Sequence, residues 1–335
     1  MHKSDTIQMK LHHSGAPPAA YSVRELRAEL ARKIAWFIGS SERHVTPIPG
    51  LLLARRTAPT APCSGTYEPS LIVVAQGRKR VDLGQATFLY DESRFLLTSV
   101  DLPIVSQVVE ASESKPCLAM ALKLEMSIVR ELLTREELLV RESPSDSPAM
   151  MTGEVTPELL SACCRLVDLL STPQHISILA DLIQREIIYR LLCGAEGGRL
   201  RAIATLGDQS NRTAKVIAWI KDNYAKPVRV DELAEMAGMG VSTLHHHFRV
   251  LTNMSPLQYQ KQLRLQAARS RMVIDGIDAT TAAFEVGYES VSQFNREYSR
   301  FFGQPPMRDI RTLRSPDALP MESVGHQSLR THTAV

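Results

Sequence analysis

Residues 231–272 read DELAEMAGMGVSTLHHHFRVLTNMSPLQYQKQLRLQAARSRM. This stretch predicts two short amphipathic helices separated by a turn. The first has Leu233 on its packing face and ends at Gly238, and the second has Leu244 and Phe248 four residues apart, on one face. Two helices joined by a short turn that contains glycine form a helix-turn-helix.

The same pattern occurs again further along the chain. A short helix over 280–286 is followed by a turn at Gly287, and the next helix has Phe294 and Tyr298 on its inner face. The helix between the two units, over 256–274, is long enough at ~1.5 Å per residue to hold them roughly one duplex turn apart. One polypeptide can therefore contact two adjacent major grooves on one face of the duplex.

These residues resemble the AraC/XylS family of transcription regulators. The resemblance covers residues 212–312, and its most specific part is AAFEVGYESVSQFNREYSRFFGQPPMRDIR over 282–311. The chain departs from the family pattern at Gly240, where a serine usually caps the first recognition helix, and at His246, where an arginine is usual. The second change replaces a permanent, forked cation with a pH-dependent donor. The resemblance implies a sequence-specific transcription regulator, an effector-responsive activator.

The helix period indicates which side chains of the two recognition helices face DNA, because residues between the buried positions must lie outward. The residues predicted to contact base edges are Ser242, His245, His246, Val291, Ser292, Asn295 and Arg296. Arg296 suits the O6 and N7 acceptors of guanine, and Val291 suits a thymine methyl. The residues predicted to contact phosphates, which position a protein without specifying sequence, are Arg249, Arg264 and Arg300.

The run His245-His246-His247 raises the alternative of a metal site. Successive residues of a helix are ~100° apart, so three in a row cannot converge on one ion. The sequence therefore predicts no metal here, and predicts that His247 packs within the domain. No cofactor and no catalytic residue is predicted anywhere in the chain.

The pattern of the chain is different before residue 212. From about 49 to 123, short apolar runs alternate with Pro, Gly, Asp and Ser, which is typical of strands in a sandwich or barrel. From 125 to 193 the apolar spacing is helical. The predicted fold class is therefore α+β, with an N-terminal β-barrel and appended helices, then an all-α domain whose two helix-turn-helix units are joined by a long helix.

A glycine cluster near residue 197 predicts the boundary between these two parts. The predicted division is a disordered leader over 1–20, an N-terminal regulatory domain over 21–195, a linker over 196–211, a DNA-binding domain over 212–312 and a disordered tail over 313–335.

The strand-rich segment resembles the cupin-like regulatory domain of one AraC-type subgroup, in the stretches YEPSLIVVAQGRKRVDLG and FLYDESRFLLTSVDLPIVSQVVEAS. No histidine occurs between His44 and His175, so the ligand set of a metal-dependent cupin enzyme is absent and that class is excluded. Two alternatives stay open, an effector pocket inside the barrel and a purely structural barrel. The residues that would form the pocket wall, or else the core, are Val74, Phe88, Leu97, Val105 and Val109.

Two hypotheses concern the rest of this domain. Cys63 lies in the Pro-rich stretch TAPTAPCSGTYEP and is a candidate for response to reactive aldehydes or oxidants through an exposed thiol. A helical apolar stripe can either pack on the barrel or form a dimer interface, and its members are Ile176, Leu179, Ile183, Ile187 and Leu191.

Composition and charge agree with a regulator. The net formal charge of the 335 residues is +3, and the basic excess lies in the segment 212–312, which is the expected footprint for a polyanion. Five cysteines without zinc spacing fit a reducing compartment. No apolar run reaches the ~18–20 residues that cross a bilayer, so a cytoplasmic location is expected.

Double-stranded DNA is the expected partner. RNA polymerase, a small-molecule effector and a second copy of the chain are further candidates, and a membrane is not. The alternative class is a co-regulator that acts through protein contacts, with degenerate helix-turn-helix units. Salt-dependent, sequence-specific DNA binding separates the two classes.

Overall fold

A computed structural model of the chain describes residues 22–134 and 148–314. The predicted leader over 1–20 and the predicted tail beyond Arg314 lie outside the described residues. Within the described ranges the strands are β1 (Arg43–Val45), β2 (Leu51–Arg56), β3 (Cys63–Tyr67), β4 (Ser70–Gln76), β5 (Arg78–Leu83), β6 (Ala86–Asp91), β7 (Arg94–Thr98), β8 (Leu102–Glu110), β9 (Cys117–Lys123) and β10 (Met150–Glu154). The α-helices are α1 (Val23–Ile38), α2 (Met126–Leu132), α3 (Pro157–Asp168), α4 (Ile176–Cys193), α5 (Gly197–Ala204), α6 (Gln209–Asp222), α7 (Val230–Ala237), α8 (Val241–Thr252), α9 (Pro256–Ile274), α10 (Ala279–Glu285), α11 (Val291–Phe302) and α12 (Pro306–Arg314).

The strands form two antiparallel sheets. One has the order β1-β2-β9-β4-β7-β10 and the other has the order β3-β8-β5-β6. Ile72 and Val74 of the first sheet share a buried cluster with Val81 and Leu102 of the second, so the two sheets pack face to face. The predicted α+β class is confirmed, and the β-barrel has the form of an open two-sheet sandwich.

Helices cover the outer face of the six-stranded sheet. Along β9, Leu118 and Met120 belong to the cluster shared with α1, α3 and α4, while Ala119 belongs to the cluster between the sheets. This alternation follows from the two-residue period of a strand. Of the apolar stripe on α4, Ile183, Ile187 and Leu191 are buried in the helix-covered cluster, so this stripe packs on the sandwich.

Only part of the predicted pocket wall faces the sandwich interior. Val74 is buried between the sheets and Phe88 packs against the same cluster. Leu97 is buried in the other cluster, against the helices, so its predicted place in the wall is wrong. Val105 and Val109 alternate along β8 with the interior residues and are half-buried on the opposite face, so they do not line the interior either.

The predicted linker over 196–211 is a buried helical segment in the structure. All residues of α5 are buried, and a Cβ at Gly197 would overlap the carbonyl oxygens of Leu191 and Leu192. The glycine cluster therefore allows α5 to pack closely against the end of α4, which the sequence pattern cannot distinguish from an open connection. The assignment of domain boundaries remains a prediction.

The C-terminal helices contribute to two separate cores. Val216, Leu244 and Phe248 of the first helix-turn-helix unit belong to the same cluster as the inner face of the sandwich. The second unit has its own cluster, which includes Phe294 and Tyr298. Helix α9 has buried residues in both clusters and so connects the two cores. Within the described ranges, no helix is long and apolar enough to cross a membrane.

Candidate nucleic-acid interface

The first helix-turn-helix unit consists of α7, a turn and α8, together with α6, whose buried residues share their cluster. Gly238 ends α7 in the left-handed region with a φ of 59°, which glycine adopts without the strain that a Cβ brings. The Arg212 guanidinium donates to the carbonyl oxygen of Gly238 at 2.9 Å and so holds the turn from the neighbouring helix α6. Leu244 and Phe248 are fully buried, which orients the opposite side of α8 toward solvent.

The second unit consists of α10, a turn at Gly287 with a φ of 90°, and α11. Phe294 and Tyr298 are fully buried, as their spacing predicts. The Tyr298 hydroxyl donates to Asp309 at 2.7 Å, and Arg269 contacts both oxygens of the same carboxylate at 2.8 Å. These bonds anchor α11 to α9 and α12 from its buried side.

The two recognition helices begin differently. The Ser290 hydroxyl accepts a hydrogen bond from the backbone N–H of Gln293 at 3.3 Å and caps α11. Gly240 occupies the same position before α8 and has no side chain to accept one. The first backbone N–H groups of a helix have no partner within the helix, and a capping side chain supplies one. The N-terminus of α11 therefore has one more of these N–H groups hydrogen-bonded than that of α8.

The structure places the predicted DNA-contacting side chains as follows. Six of the base-contact candidates are exposed, namely Ser242, His245 and His246 on α8 and Ser292, Asn295 and Arg296 on α11, while Val291 is half-buried. Arg249 and Arg300, predicted to contact phosphates, are also exposed. Each recognition helix thus presents a polar and basic face away from its core.

Arg264 has a different role from the predicted phosphate contact. Its guanidinium donates to the carbonyl oxygens of Tyr224 at 2.7 Å, Ala225 at 3.2 Å and Lys226 at 3.0 Å. Burial lowers the pKa of Arg264, although the neighbouring Tyr288 opposes that shift. Nε and one terminal nitrogen are thereby directed into the domain, so the structure gives Arg264 a structural role in place of the predicted phosphate contact.

The residues predicted from the sequence do not include three exposed side chains on or near the recognition helices. Thr243 is exposed in the first turn of α8, and Arg308 and Arg311 are exposed on α12. Helical spacing identifies Thr243 as outward, because it is adjacent to buried Leu244. The two arginines lie in MRDIR, at the end of the stretch over 282–311 that carries the family resemblance.

No metal centre accompanies the histidine run. In the described ranges, no group of three His, Cys, Asp or Glu side chains is arranged to hold an ion. His245 and His246 are exposed, and His247 is half-buried with its ring 5.2 Å from that of His246. This arrangement follows from the ~100° between successive helical residues.

The first unit is also bonded to the sandwich. Lys221 on α6 contacts Asp101 at 2.5 Å and Glu68 at 3.1 Å. Burial opposes the charge on Lys221, but the two carboxylates outweigh it and raise the pKa of the amine. Burial would raise the pKa of Glu68, but hydrogen bonds from Lys123 and Lys221 outweigh it and lower the pKa. Burial does raise the pKa of Asp101, despite the hydrogen bond from Lys221.

Backbone and neutral side-chain contacts extend this attachment. The Tyr259 hydroxyl donates to the carbonyl oxygen of Asp101 at 2.8 Å. The backbone N–H of Ala149 donates to the carbonyl oxygen of Leu251 at 3.1 Å. Leu251 is in the last turn of α8. The position of the first recognition helix is therefore tied to the position of the sandwich.

Comparison with known proteins bears on both halves of the chain. Residues 47–199 match the family model described as AraC-type transcriptional regulator N-terminus, and residues 233–311 match that of a helix-turn-helix domain. The chain belongs to the AraC/XylS family. The second match covers most of α7 and all of the elements from α8 through α11, which form the two helix-turn-helix units.

Individual relatives agree with this membership. The transcriptional activator RhaS of Yersinia pestis (strain Pestoides F) is 31% identical over 105 residues, which are 31% of this chain and 38% of RhaS. The chain therefore matches well under half of the length of this relative. ToxT from Vibrio cholerae strain SCE256 is similar in fold, with a TM-score of 0.52, 10% identity, and coverage of 80% of this chain and 99% of ToxT. A ToxT structure with bound unsaturated fatty acid has the same TM-score at 9% identity, covering 81% of this chain and 96% of ToxT.

Proposed function

We propose that this AraC/XylS-family chain is a sequence-specific transcriptional activator that places α8 and α11 in two adjacent major grooves. The observation that carries the proposal is the pair of exposed polar faces on these helices, each opposite a fully buried aromatic side chain. Helix α9 has 19 residues and spans about 28 Å at ~1.5 Å per residue, which suits two grooves ~34 Å apart. Activation is supported by the name of the RhaS relative and implies contact with RNA polymerase.

The base contacts are proposed to come from Ser242, His245 and His246 in the first groove. In the second groove they come from Val291, Ser292, Asn295 and Arg296. Arg249 and Arg300 complete the interface as phosphate contacts. The first unit has histidine and serine donors and no capping side chain, so we propose that it discriminates bases less strongly than the second.

A small-molecule effector is proposed to act through the sandwich. Lys79 and Ser106 are buried, and Lys79 pairs across the sheet with buried Tyr90. These side chains are polar groups of the kind that orient a bound ligand. The bound fatty acid in the ToxT structure supports a ligand-binding role for this fold. Because Leu251 and Lys221 attach the first unit to the sandwich, a ligand that binds one arrangement more tightly shifts the population of the DNA-binding form.

Two further proposals concern the N-terminal half. Cys63 is half-buried at the start of β3, and a redox or aldehyde response through its thiol predicts that Cys63→Ser abolishes the inducer response. An unchanged response removes this hypothesis. Homodimerisation is proposed through α4, where Ile178, Leu182 and Tyr189 are exposed on the side away from the core.

Selection of bound sequences from random DNA, with and without cell metabolites, tests the central proposal. We expect a two-part site whose halves are roughly one helical turn apart, with log affinity falling linearly with log salt concentration. Arg296→Ala should relax specificity at one position of one half-site, at a cost of about 1–3 kcal/mol. Recovery of no preferred sequence would favour the alternative of a co-regulator that acts by protein contact.

A further inference from the structure

The segment 224–226 lies where the two C-terminal cores meet. It follows α6, which belongs to the first unit, and the Tyr224 side chain packs against the buried clusters of both units. Its backbone carbonyl groups point toward α9, the helix that joins the units. This short segment therefore contacts α9 and the buried clusters of both units.

Side chains of α9 bind these carbonyl groups. Arg264 donates to the carbonyl oxygens of all three residues of the segment, and Gln260 donates to those of Tyr224 at 2.9 Å and Lys226 at 2.7 Å. The planar fork of a guanidinium can meet several acceptors in one fixed geometry, which an ammonium group cannot. Arg264 therefore fixes the direction of α9 relative to α6.

The turn of the second unit closes on the same segment. Gly287 lies so near Ala225 that a Cβ would overlap the Ala225 carbonyl oxygen and would approach the Arg264 guanidinium to 2.9 Å. The next residue, Tyr288, has its ring centroid 5.8 Å from the Arg264 guanidinium carbon. The Tyr288 hydroxyl donates to Glu297 on α11 at 2.9 Å, so this contact continues into the second recognition helix.

We propose that Arg264 and Gly287 are positioning residues that set the orientation of α11 relative to α8, and with it the spacing between half-sites that the protein accepts. The inference rests on the proposed reading of two grooves and adds the structural reason for one preferred spacing. Two half-sites bound by one rigid body bind cooperatively, because the second contact is intramolecular. Each base pair inserted between them rotates one half-site by about 36° relative to the other, which a rigid protein cannot follow.

The experiment uses the full chain and the two-part DNA site that selection with the native protein recovers. Affinity is measured for that site, for each half-site with the other half scrambled, and for spacers lengthened or shortened by one and two base pairs. The variants are Arg264→Lys, which retains the charge without the fork, Arg264→Ala, and Gly287→Ala. Lys261→Ala is the matched control, because Lys261 is an exposed cation on the same helix.

The native protein should prefer the two-part site to a half-site by about 10²–10⁴-fold. The Arg264 variants should bind each half-site within about twofold of the native protein, while the two-part preference of all three variants falls at least tenfold. Their discrimination between spacers should fall in parallel. Lys261→Ala should retain the native spacer preference.

Three results would overturn the inference. An unchanged spacer preference in Arg264→Lys and Gly287→Ala would show that the contacts do not set the spacing. Equal losses on both half-sites would indicate a general structural role. A variant of Arg264 could instead lose affinity for one half-site, with the slope of log affinity against log salt concentration smaller by about 1. That result would restore the phosphate contact that the sequence predicts for Arg264. Selection of no two-part site at all is the separate result that refutes the proposed function itself.

Discussion

Removal of the Asp309 carboxylate should destabilise the second helix-turn-helix unit more than any surface change. Asp309 and Arg269 are 8% and 9% exposed, and two bonds of 2.8 Å join them. Asp309 also accepts the Tyr298 hydroxyl, and Arg269 lies 4.4 Å from the Phe302 ring centroid. In Asp309→Ala the guanidinium stays buried without its counter-charge, which costs about 3–5 kcal/mol.

Native-state hydrogen exchange of the full chain measures this cost. Amides in α11 and α12 of Asp309→Ala should lose protection by about 10²–10⁴-fold, since 1.4 kcal/mol corresponds to a factor of ten. Amides in α1 and β9 serve as the internal reference and should not change. Arg271→Ala is the matched control on α9, because its pairs with Asp275 and Glu285 are partly exposed and should contribute less than about 1 kcal/mol.

The double variant Arg269→Met/Asp309→Leu tests the reason for the loss. It removes both charges and keeps apolar volume, so it should recover to within about 1–2 kcal/mol of the native protein. A double variant as unstable as Asp309→Ala would show that the bonds themselves, rather than the stranded charge, hold the unit together. A loss of protection below about tenfold in Asp309→Ala would refute the estimate altogether.

Three further predictions concern other parts of the chain. Lys221→Met should loosen the attachment of the first unit to the sandwich by about 1–3 kcal/mol, because two carboxylates lose their shared donor. Faster hydrogen exchange of the α6 amides checks this prediction, with Lys215→Met, at an exposed lysine of the same helix, as the control. Unchanged exchange in α6 would contradict the prediction. Gly240→Ser should stabilise α8 by a few tenths of a kcal/mol through a new N-cap, seen as slower exchange of its first-turn amides, and no change would indicate that water already satisfies them. Leu182→Glu should shift a dimer toward monomer in sedimentation, and an unaltered mass distribution would exclude α4 as the interface.

The sequence determined the local chemistry of the C-terminal units well. Residues at i, i+4 such as Phe294 and Tyr298 are buried where the helix period places them, and Ser290 caps the helix that follows it. These features depend on neighbours within one or two turns, so the pattern of a single helix contains them. For the same reason, the outward direction of Arg296 could be predicted before its surroundings were known.

Features that depend on distant segments were not predictable in this way. The glycines near 197 resemble a linker in sequence, but they pack α5 against the end of α4. Leu97 alternates correctly for a strand, yet periodicity cannot say whether its face meets the second sheet or the helices. Both outcomes depend on which layer covers a surface, and that is decided by packing between elements far apart in the chain.

Arg264 shows the same division within the candidate interface. Its sequence context, a cation on a helix of a DNA-binding unit, favours a phosphate contact. The sequence alone determined the two helix-turn-helix units, their buried faces and their family. Only the tertiary structure decided that Arg264 turns inward to the carbonyl groups of 224–226, because those acceptors come from a loop some forty residues away that folding brings beside α9. A guanidinium binds whichever acceptors surround it, and those are a property of the fold.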